Sequence, residues 1–472
     1  MLDPQNKSVL VLGLGPRGRA ACGFLRRKGA RVVAVESGDS AELQKAAEEL
    51  RGQGIEVELG AKAAPEREFE LAVVSPAVPM DSELVREVAR RKVPVIGELE
   101  LAFQEAKCLS IAVAGTNGKG TTGELIERVL AHNHRKSILC GHQARPVCSV
   151  VEQSKQLDYL ILQVNAFQLE TAQLFRPAVA VLMNLSPDHL DRYAGSAEYV
   201  RASARLFANQ QAHDWAIVQS EAADRLHELN LPVPAKTITF SATDPKADLH
   251  LDRGLLISRI PNWAGPLLDS DTCQVRGPRN AENLMAALAV GHVLRLPLEN
   301  MLEPMKSYSA GRHRFETVAE INDVEYINDS KATNLDALRQ ALLAAKPGQG
   351  GQANVWLIAG GVDKGLDFHD AGPVLSKRVK HAFLIGAAAE KIRAAWSLFI
   401  PCTVSDSLIN AVAEAAGQAA SGDVVLLSPA CSSFDQFRDY QERGEIFCHA
   451  VKSISRGGLE GDPNRHGKML MV

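Results

Sequence analysis

Ala114-Gly115-Thr116-Asn117-Gly118-Lys119-Gly120-Thr121-Thr122 is the stretch that decides how this chain is read. An apolar run, Leu109-Ser110-Ile111-Ala112-Val113, leads into it, and Leu125, Ile126, Val129 and Leu130 follow at helical spacing. Strand, glycine-rich turn, lysine, hydroxyl side chains and helix, in that order, build a phosphate cradle. The glycines let backbone N–H groups converge on anionic oxygens, the helix N-terminus adds partial positive charge, and Lys119 adds a full one. The expected ligand is a nucleoside triphosphate held by Gly115, Thr116, Asn117, Gly118, Lys119, Gly120 and Thr121. A P-loop normally follows its lysine directly with Ser or Thr, which holds Mg²⁺. Here Gly120 takes that place and the hydroxyls come later, at Thr121 and Thr122. The plainer alternative is a glycine-rich turn that starts a helix and binds nothing.

Outward from this stretch the chain alternates strand-like apolar runs with helical patterns. Ser8–Leu12, Arg31–Val35, Leu71–Val74, Leu160–Val164, Val179–Asn184, Val355–Ile358, Ala382–Ile385 and Val424–Leu427 are the clearest runs. This pattern predicts an α/β fold of parallel sheets covered by helices, with strands buried on both faces. At 472 residues the chain has room for about three domains. The boundaries are expected at 1–97, 98–310 and 311–455, with 456–472 as a flexible tail. Residues 241–273 read as short antiparallel strands and turns.

The net charge of −4 gives no electrostatic footprint for nucleic acid or a membrane surface. No apolar run nears the ~20 residues that span a bilayer. Eight cysteines without regular spacing suit a reducing cytoplasm. Four polar clusters follow apolar runs, where α/β proteins place their chemistry. They are Ser186-Pro187-Asp188-His189-Leu190-Asp191-Arg192-Tyr193, Asn328-Asp329-Ser330-Lys331-Ala332-Thr333-Asn334, Gly360-Gly361-Val362-Asp363-Lys364-Gly365 and Ser428-Pro429-Ala430-Cys431-Ser432-Ser433-Phe434. At the N-terminus, Gly13-Leu14-Gly15-Pro16-Arg17-Gly18 and Glu36 match a dinucleotide fingerprint, a weak signal when read alone.

Together these motifs resemble the Mur ligase family, over the chain to about residue 455. The most specific matches are Gly115–Lys119, Phe167-Gln168-Leu169-Glu170, Asp188–Tyr193, His313-Arg314-Phe315-Glu316, Asn328–Asn334 and Leu427–Phe437. The resemblance implies three domains: a Rossmann-like N-terminal domain for a uridine nucleotide, a central P-loop domain for ATP, and a Rossmann-like C-terminal domain for an amino acid. It implies ATP-dependent addition of D-glutamate to UDP-N-acetylmuramoyl-L-alanine through an acyl phosphate, in peptidoglycan precursor synthesis, by a cytoplasmic monomer using Mg²⁺. By position, Lys119 and His189 are implied as catalytic, and Asn280, Asn283, Arg314 and Asp329 as ATP contacts. Gly15, Pro16, Arg17, Glu36, Ser37, Ser75, Pro76, His142 and Gln168 fall on the UDP-sugar side. Lys331, Thr333, Lys364, Ser433 and Phe434 fall on the D-glutamate side, and Thr121, Gln163 and His189 on the metal.

The chain also departs from the family pattern. Gln163 stands where the family has a metal-binding Glu, and Ser203 where it has a Lys carried as a carbamate. Gly141-His142-Gln143-Ala144-Arg145-Pro146 replaces a Gly-Asn-Ile-Gly-x-Pro pattern, and Arg279 replaces a His. These changes all fall in the central domain. Two readings stay open: an active ligase with a rebuilt centre, in which Arg205 or Arg279 restores lost cationic charge, or a ligase-like binder with impaired catalysis. A folylpolyglutamate synthase-like ligase shares the Gly-Lys-Gly-Thr turn. The first domain alone also fits an NAD-dependent dehydrogenase.

Overall fold

Val9, Leu10, Val11 and Leu12 are all fully buried, and their side chains alternate between two separate apolar clusters, Val9 and Val11 in one and Leu10 and Leu12 in the other. A strand buried on both faces has to read as a continuous apolar run, and this one does. It is β1 (Ser8–Leu12) of a computed structural model that describes residues 4–142 and 145–455. Gln143, Ala144 and the expected tail at 456–472 lie outside the described residues.

Three sheets organise the described residues. The first is wholly parallel, in the order β3-β2-β1-β4-β5, with β2 (Arg31–Val35), β3 (Glu56–Glu58), β4 (Leu71–Val74) and β5 (Val95–Gly97). The second has nine strands: β6 (Leu109–Ala114), β7 (Ser137–Gly141), β8 (Tyr159–Gln163), β9 (Val179–Leu182), β10 (Trp215–Gln219), β11 (Lys236–Ser241), β12 (Leu249–Asp252), β13 (Leu255–Ser258) and β14 (Gly265–Asp269). Their order is β14-β13-β12-β11-β10-β9-β6-β8-β7. The antiparallel strands expected at 241–273 are present as β12–β14. They extend the edge of the large sheet, because β12 pairs in parallel with the end of β11 through Phe240 and Leu249.

The third sheet runs β15-β16-β20-β17-β18-β19, from β15 (Glu316–Ile321), β16 (Val324–Asn328), β17 (Val355–Gly360), β18 (Val379–Ile385), β19 (Cys402–Val404) and β20 (Val424–Leu427). Only its β15–β16 hairpin is antiparallel.

The chain forms two compact units. One takes residues 1–185, 195–274 and 279–308 with the first two sheets; the other takes 186–194, 275–278 and the residues from 309 on, with the third sheet. Inside the first unit one apolar core runs from Phe24 and Val32 through Leu99, Leu101 and Ala102 to Ala112 and Phe175. Among the described residues no helix is long and apolar enough to cross a membrane.

Candidate functional site: a glycine loop, a cavity at the first sheet and a three-loop cluster

In a parallel sheet the loops that leave the carboxyl ends of neighbouring strands adjoin, so strand order decides which motifs meet. In the second sheet β6 lies between β9 and β8. The loop after β6 turns through Gly115 (φ 122°) and Gly118 (φ 88°), and the helix Lys119–His132 begins at once. A Cβ on Gly115 would lie 2.9 Å from both the N and the O of Asn184; one on Gly118 would lie 2.5 Å from Asn283 Oδ1. Glycine is therefore required at both places by conformation and by space.

Asn184, at the end of the β9 run, frames the loop. Its carbonyl accepts from the Thr116 N–H at 2.9 Å, its Oδ1 accepts from the Asn117 N–H at 3.0 Å, and its Nδ2 donates to the Asn117 carbonyl at 3.0 Å. Thr116 Oγ1 meets the Tyr199 hydroxyl at 2.9 Å. Thr122 Oγ1 donates to Asn283 Oδ1 (3.2 Å), and Asn283 Nδ2 donates to Asn280 Oδ1 (3.1 Å). Lys119 folds back over the turn, its ammonium 2.6 Å from the Gly115 carbonyl and 2.9 Å from that of Thr116. Carbonyl dipoles are weak partners for an ammonium, and phosphate oxygens would outcompete them.

Thr121 is nearly buried in the first turn, just past Gly120. Gln163, 4% exposed at the end of β8, packs its side chain beside Gly123 of the same helix. One hydroxyl and one neutral amide oxygen suit a magnesium ion held mainly by phosphate and water. Gln168 is also buried, and its Oε1 accepts from the Asn165 N–H in a capping box. Its Nε2 is buried without a partner, and His142 Nδ1 meets Asn165 Nδ2 at 3.2 Å. Ser203 is buried in the helix Ser196–Ala204. Arg205 donates to the carbonyls of Leu169 (2.7 Å) and Ala172 (2.5 Å), so its charge braces the segment after β8. Arg279 bears on Glu282, whose carboxyl is pushed up by burial and only partly drawn back by that arginine.

At the first sheet a cavity of about 470 Å³ is lined by Gly13, Gly15, Glu36, Ser37, Lys62 and Ser75, among others. Glu36 Oε2 accepts from the Leu14 N–H at 2.8 Å and Oε1 from the Gly38 N–H at 3.1 Å. One amide of the glycine turn is thus already engaged by the chain's own carboxylate. A Cβ on Gly18 would sit 1.8 Å from the Gly13 carbonyl oxygen, which allows only glycine there. Gly15 caps the helix Pro16–Arg27, and Pro76 follows Ser75 on the loop after β4. Arg17 reaches the Gly141 carbonyl at 3.3 Å, and its Nε is buried with no partner. Glu98, 1% exposed, also has one oxygen without a partner. Burial pushes the Glu98 carboxyl up and the Arg17 guanidinium down. A buried donor and acceptor left open in this way mark a place suited to a polar ligand group.

In the second unit, β20 lies between β16 and β17, so the loops 328–334, 360–365 and 428–434 adjoin. Asp329 is half-buried; its oxygens accept from the Phe315 N–H (3.0 Å) and the Ser428 hydroxyl (3.3 Å), and desolvation pushes its carboxyl up to about 7. Arg314 lies between His313 and Phe315, both at positive φ. Lys331 sits 5.3 Å over the Tyr440 ring, and Thr333 precedes Asn334, whose Oδ1 caps the helix Leu335–Ala344. Ser433 is buried, whereas Phe434 is 73% exposed.

Lys364 Nζ lies 3.2 Å from Asp188 Oδ1 in a largely buried ion pair. The segment 186–194 belongs to this unit. Burial raises the Asp188 carboxyl, but Lys364 and His189 outweigh it and the net shift is downward. His189 stands at φ 55°, with its N–H on Asp188 Oδ1. Sequence reasoning missed Asn184, Tyr199 and Arg443. Asn184 was legible as a polar end to an apolar strand beside the glycine loop; the other two carry no local signal.

Residues 113–291 match the Mur ligase middle domain, and 313–431 the Mur ligase glutamate ligase domain. A UDP-N-acetylmuramoylalanine--D-glutamate ligase of Acidobacterium capsulatum is 37% identical over 450 residues, covering 94% of this chain and 96% of that protein. The enzyme of the same name from Koribacter versatilis is 36% identical, covering 96% and 99%. Two solved structures share the fold, each with a TM-score of 0.60. The UDP-N-acetylmuramate-alanine ligase of Thermotoga maritima is 17% identical, covering 95% of this chain and 100% of its own. A MurF ligase from the same organism, in complex with ADP, is 16% identical, covering 95% and 96%. With relatives this similar over nearly the full length, and with the phosphate loop and the three-loop cluster on matching segments, the chain belongs to the Mur ligase family.

Proposed function

We propose that the chain joins D-glutamate to UDP-N-acetylmuramoyl-L-alanine at the expense of ATP. The observation that carries this reading is Lys119, its ammonium on the Gly115 and Thr116 carbonyls of a glycine turn at a helix start, in a chain that aligns over 94% of its length with a ligase of that activity. The γ-phosphoryl group passes from ATP to the alanyl carboxylate, giving an acyl phosphate and ADP. The amine of D-glutamate then attacks the acyl carbon, the amide bond forms, and inorganic phosphate leaves with the electrons of the broken C–O bond.

Positioning and charge neutralisation are the work left to the protein. Lys119 and the amides from Gly115 to Thr121 take the phosphates, with Asn280, Asn283, Arg314 and Asp329 as further nucleotide contacts. Thr121 and Gln163 of the first unit would hold Mg²⁺, which supplies charge neutralisation for the phosphoryl group when bound; His189 of the second unit is assigned to the metal by the family resemblance alone. Gly15, Pro16, Arg17, Glu36, Ser37, Ser75 and Pro76 take the uridine diphosphate, with His142 and Gln168 nearer the sugar. Two cations, Lys331 and Lys364, with Thr333, Ser433 and Phe434, suit a dicarboxylate amino acid. The capture of the Leu14 amide by Glu36 disfavours the dinucleotide reading, since a pyrophosphate needs that turn open.

Phosphate release is measured with ATP, Mg²⁺, D-glutamate and UDP-N-acetylmuramoyl-L-alanine, for this chain and for Lys119→Ala. Release that depends on both acceptor and amino acid, and falls roughly a thousand-fold in the variant, is the expected result. Equal background from both proteins rejects the reading. A second reading, a binder with impaired catalysis, draws on the neutral Gln163 and on Ser203. It predicts uridine-nucleotide binding by calorimetry without phosphate release.

A further inference from the structure

Among the described residues Arg443 is the one arginine in the buried class, with no exposed surface at all. It sits in the first turn of the helix Tyr440–Ser455. Its Nε donates to Ser330 Oγ at 3.0 Å and its Nη2 to the Ser330 carbonyl at 2.8 Å. Nη1 and Nη2 both donate to the Cys431 carbonyl at 3.2 Å, and Nη1 reaches the Gly360 carbonyl at 3.4 Å. Guanidinium has five N–H groups in a rigid fork, and all five are directed here at three loops. Those loops leave β16, β17 and β20, three adjacent strands far apart in sequence. Ser330 Oγ, in turn, donates to the Tyr440 carbonyl at 2.7 Å, which closes the cluster onto the helix that carries the arginine.

Among the described residues Arg443 makes no ion pair. Asp435 acts on it only at longer range, and that carboxylate accepts from the Ala387 N–H. A charge buried this deeply without a counter-ion is costly, and burial draws the guanidinium down to about 10. A neutral side chain could close the same gap in a scaffold at lower cost. What a cation adds is a fixed positive potential beneath loops that present Lys331, Thr333, Lys364 and Ser433.

We propose that Arg443 is a positioning residue that locks these three loops in register and biases their shared face toward an anionic amino acid, the dicarboxylate of the proposed reaction. This inference rests on the functional reading above. It adds that amino-acid selectivity is set by a residue that never touches the amino acid.

The test is steady-state phosphate release by the full chain, with each substrate varied in turn, for Arg443→Lys and Ser330→Ala. Lysine keeps the charge but lacks the fork; the serine variant removes two of the ties and keeps the arginine. Arg443→Lys is expected to raise the D-glutamate KM about tenfold or more and to lower kcat, with the KM for ATP and for the UDP-linked substrate within twofold of wild type. Ser330→Ala is expected to raise the D-glutamate KM about threefold. In Arg443→Gly, added guanidinium salts should recover part of the lost rate. An unchanged D-glutamate KM in both variants overturns the proposal, and so does an equal rise of all three KM values. Should Arg443→Lys fail to fold, the Ser330→Ala result decides. Wild-type protein without amino-acid-dependent phosphate release overturns the functional reading itself, a result distinct from either of those.

Discussion

Around the phosphate loop the side chains that order the backbone are neutral: Asn184 bonds Thr116 and Asn117 through its amide and carbonyl, Thr122 bonds Asn283, and Asn283 bonds Asn280, beside the Lys119 ammonium on two carbonyls. Around the three-loop cluster the framing side chains are charged and largely buried: Lys364 on Asp188, and Arg443 on carbonyls. The two regions respond differently to change. A neutral tie contributes about 1 kcal/mol and can be replaced piecemeal. Removing one member of a buried ion pair leaves a desolvated charge with no partner. The positions that the resemblance sets apart, Gly120, Gln163, Ser203 and Arg279, belong to the first unit, and the motifs it places in the second are kept.

The sharpest way to break this comparison is Lys364→Met. It strands the Asp188 carboxylate, and the loss of unfolding free energy should be about 3–5 kcal/mol, read by urea denaturation at neutral pH. Adding Asp188→Asn to it should recover part of the loss; a double variant no better than the single would show that the pair is not what the region depends on. The same pair fixes a pH dependence. The Asp188 carboxyl lies below its unfolded value, so the stability it contributes is present above pH 4 and lost as pH falls through its folded value.

Asn184→Ala comes next. Of the three hydrogen bonds Asn184 makes to the loop, the two of its side chain are lost, so about 2 kcal/mol of loop order is at stake. Nucleotide affinity by calorimetry should fall roughly tenfold or more, with the melting temperature changed by only a few degrees. An unfolded variant would mean that the neutral region is as brittle as the ionic one.

Asp329 gives an effect of opposite sign to Asp188. Its folded carboxyl titrates near 7, above its unfolded value of 3.8. The folded state therefore holds a proton that the unfolded chain releases, so this residue's contribution is complete below about pH 4 and declines as pH rises toward 7. Denaturation of wild type and Asp329→Asn between pH 5 and 8 should show that slope in the wild type alone. Parallel curves would remove this carboxyl from the comparison.

The smallest change expected is from Gln163→Glu. A carboxylate binds Mg²⁺ better than an amide oxygen does, so half-saturating Mg²⁺ in the phosphate-release assay should drop several-fold. If it stays put, Gln163 is not at the metal.

Much of this architecture was open to reading along the chain. Four runs, Ser8–Leu12, Arg31–Val35, Leu71–Val74 and Val424–Leu427, are strands over the same residues, because strands buried on both faces leave no polar interruption. The run expected at Val179–Asn184 ends at Leu182, since Asn184 turns away to bind the phosphate loop. Short edge strands such as Glu56–Glu58 and Cys402–Val404 had too few residues and too much exposure to announce themselves.

What the order of residues determined alone is local: the glycine turn before Lys119, where φ near 90–120° excludes other side chains, and the apolar strands that support it. What only the tertiary structure decided is which distant segments share a surface. Strand order brought 328–334, 360–365 and 428–434 onto one face, drew 186–194 into the same unit, and set Arg443 beneath them. No single stretch carries that information, because the partners come from separate stretches, from 12 residues away for Arg443 and Cys431 to 176 for Lys364 and Asp188, and a buried charge makes sense only once all of them are in place.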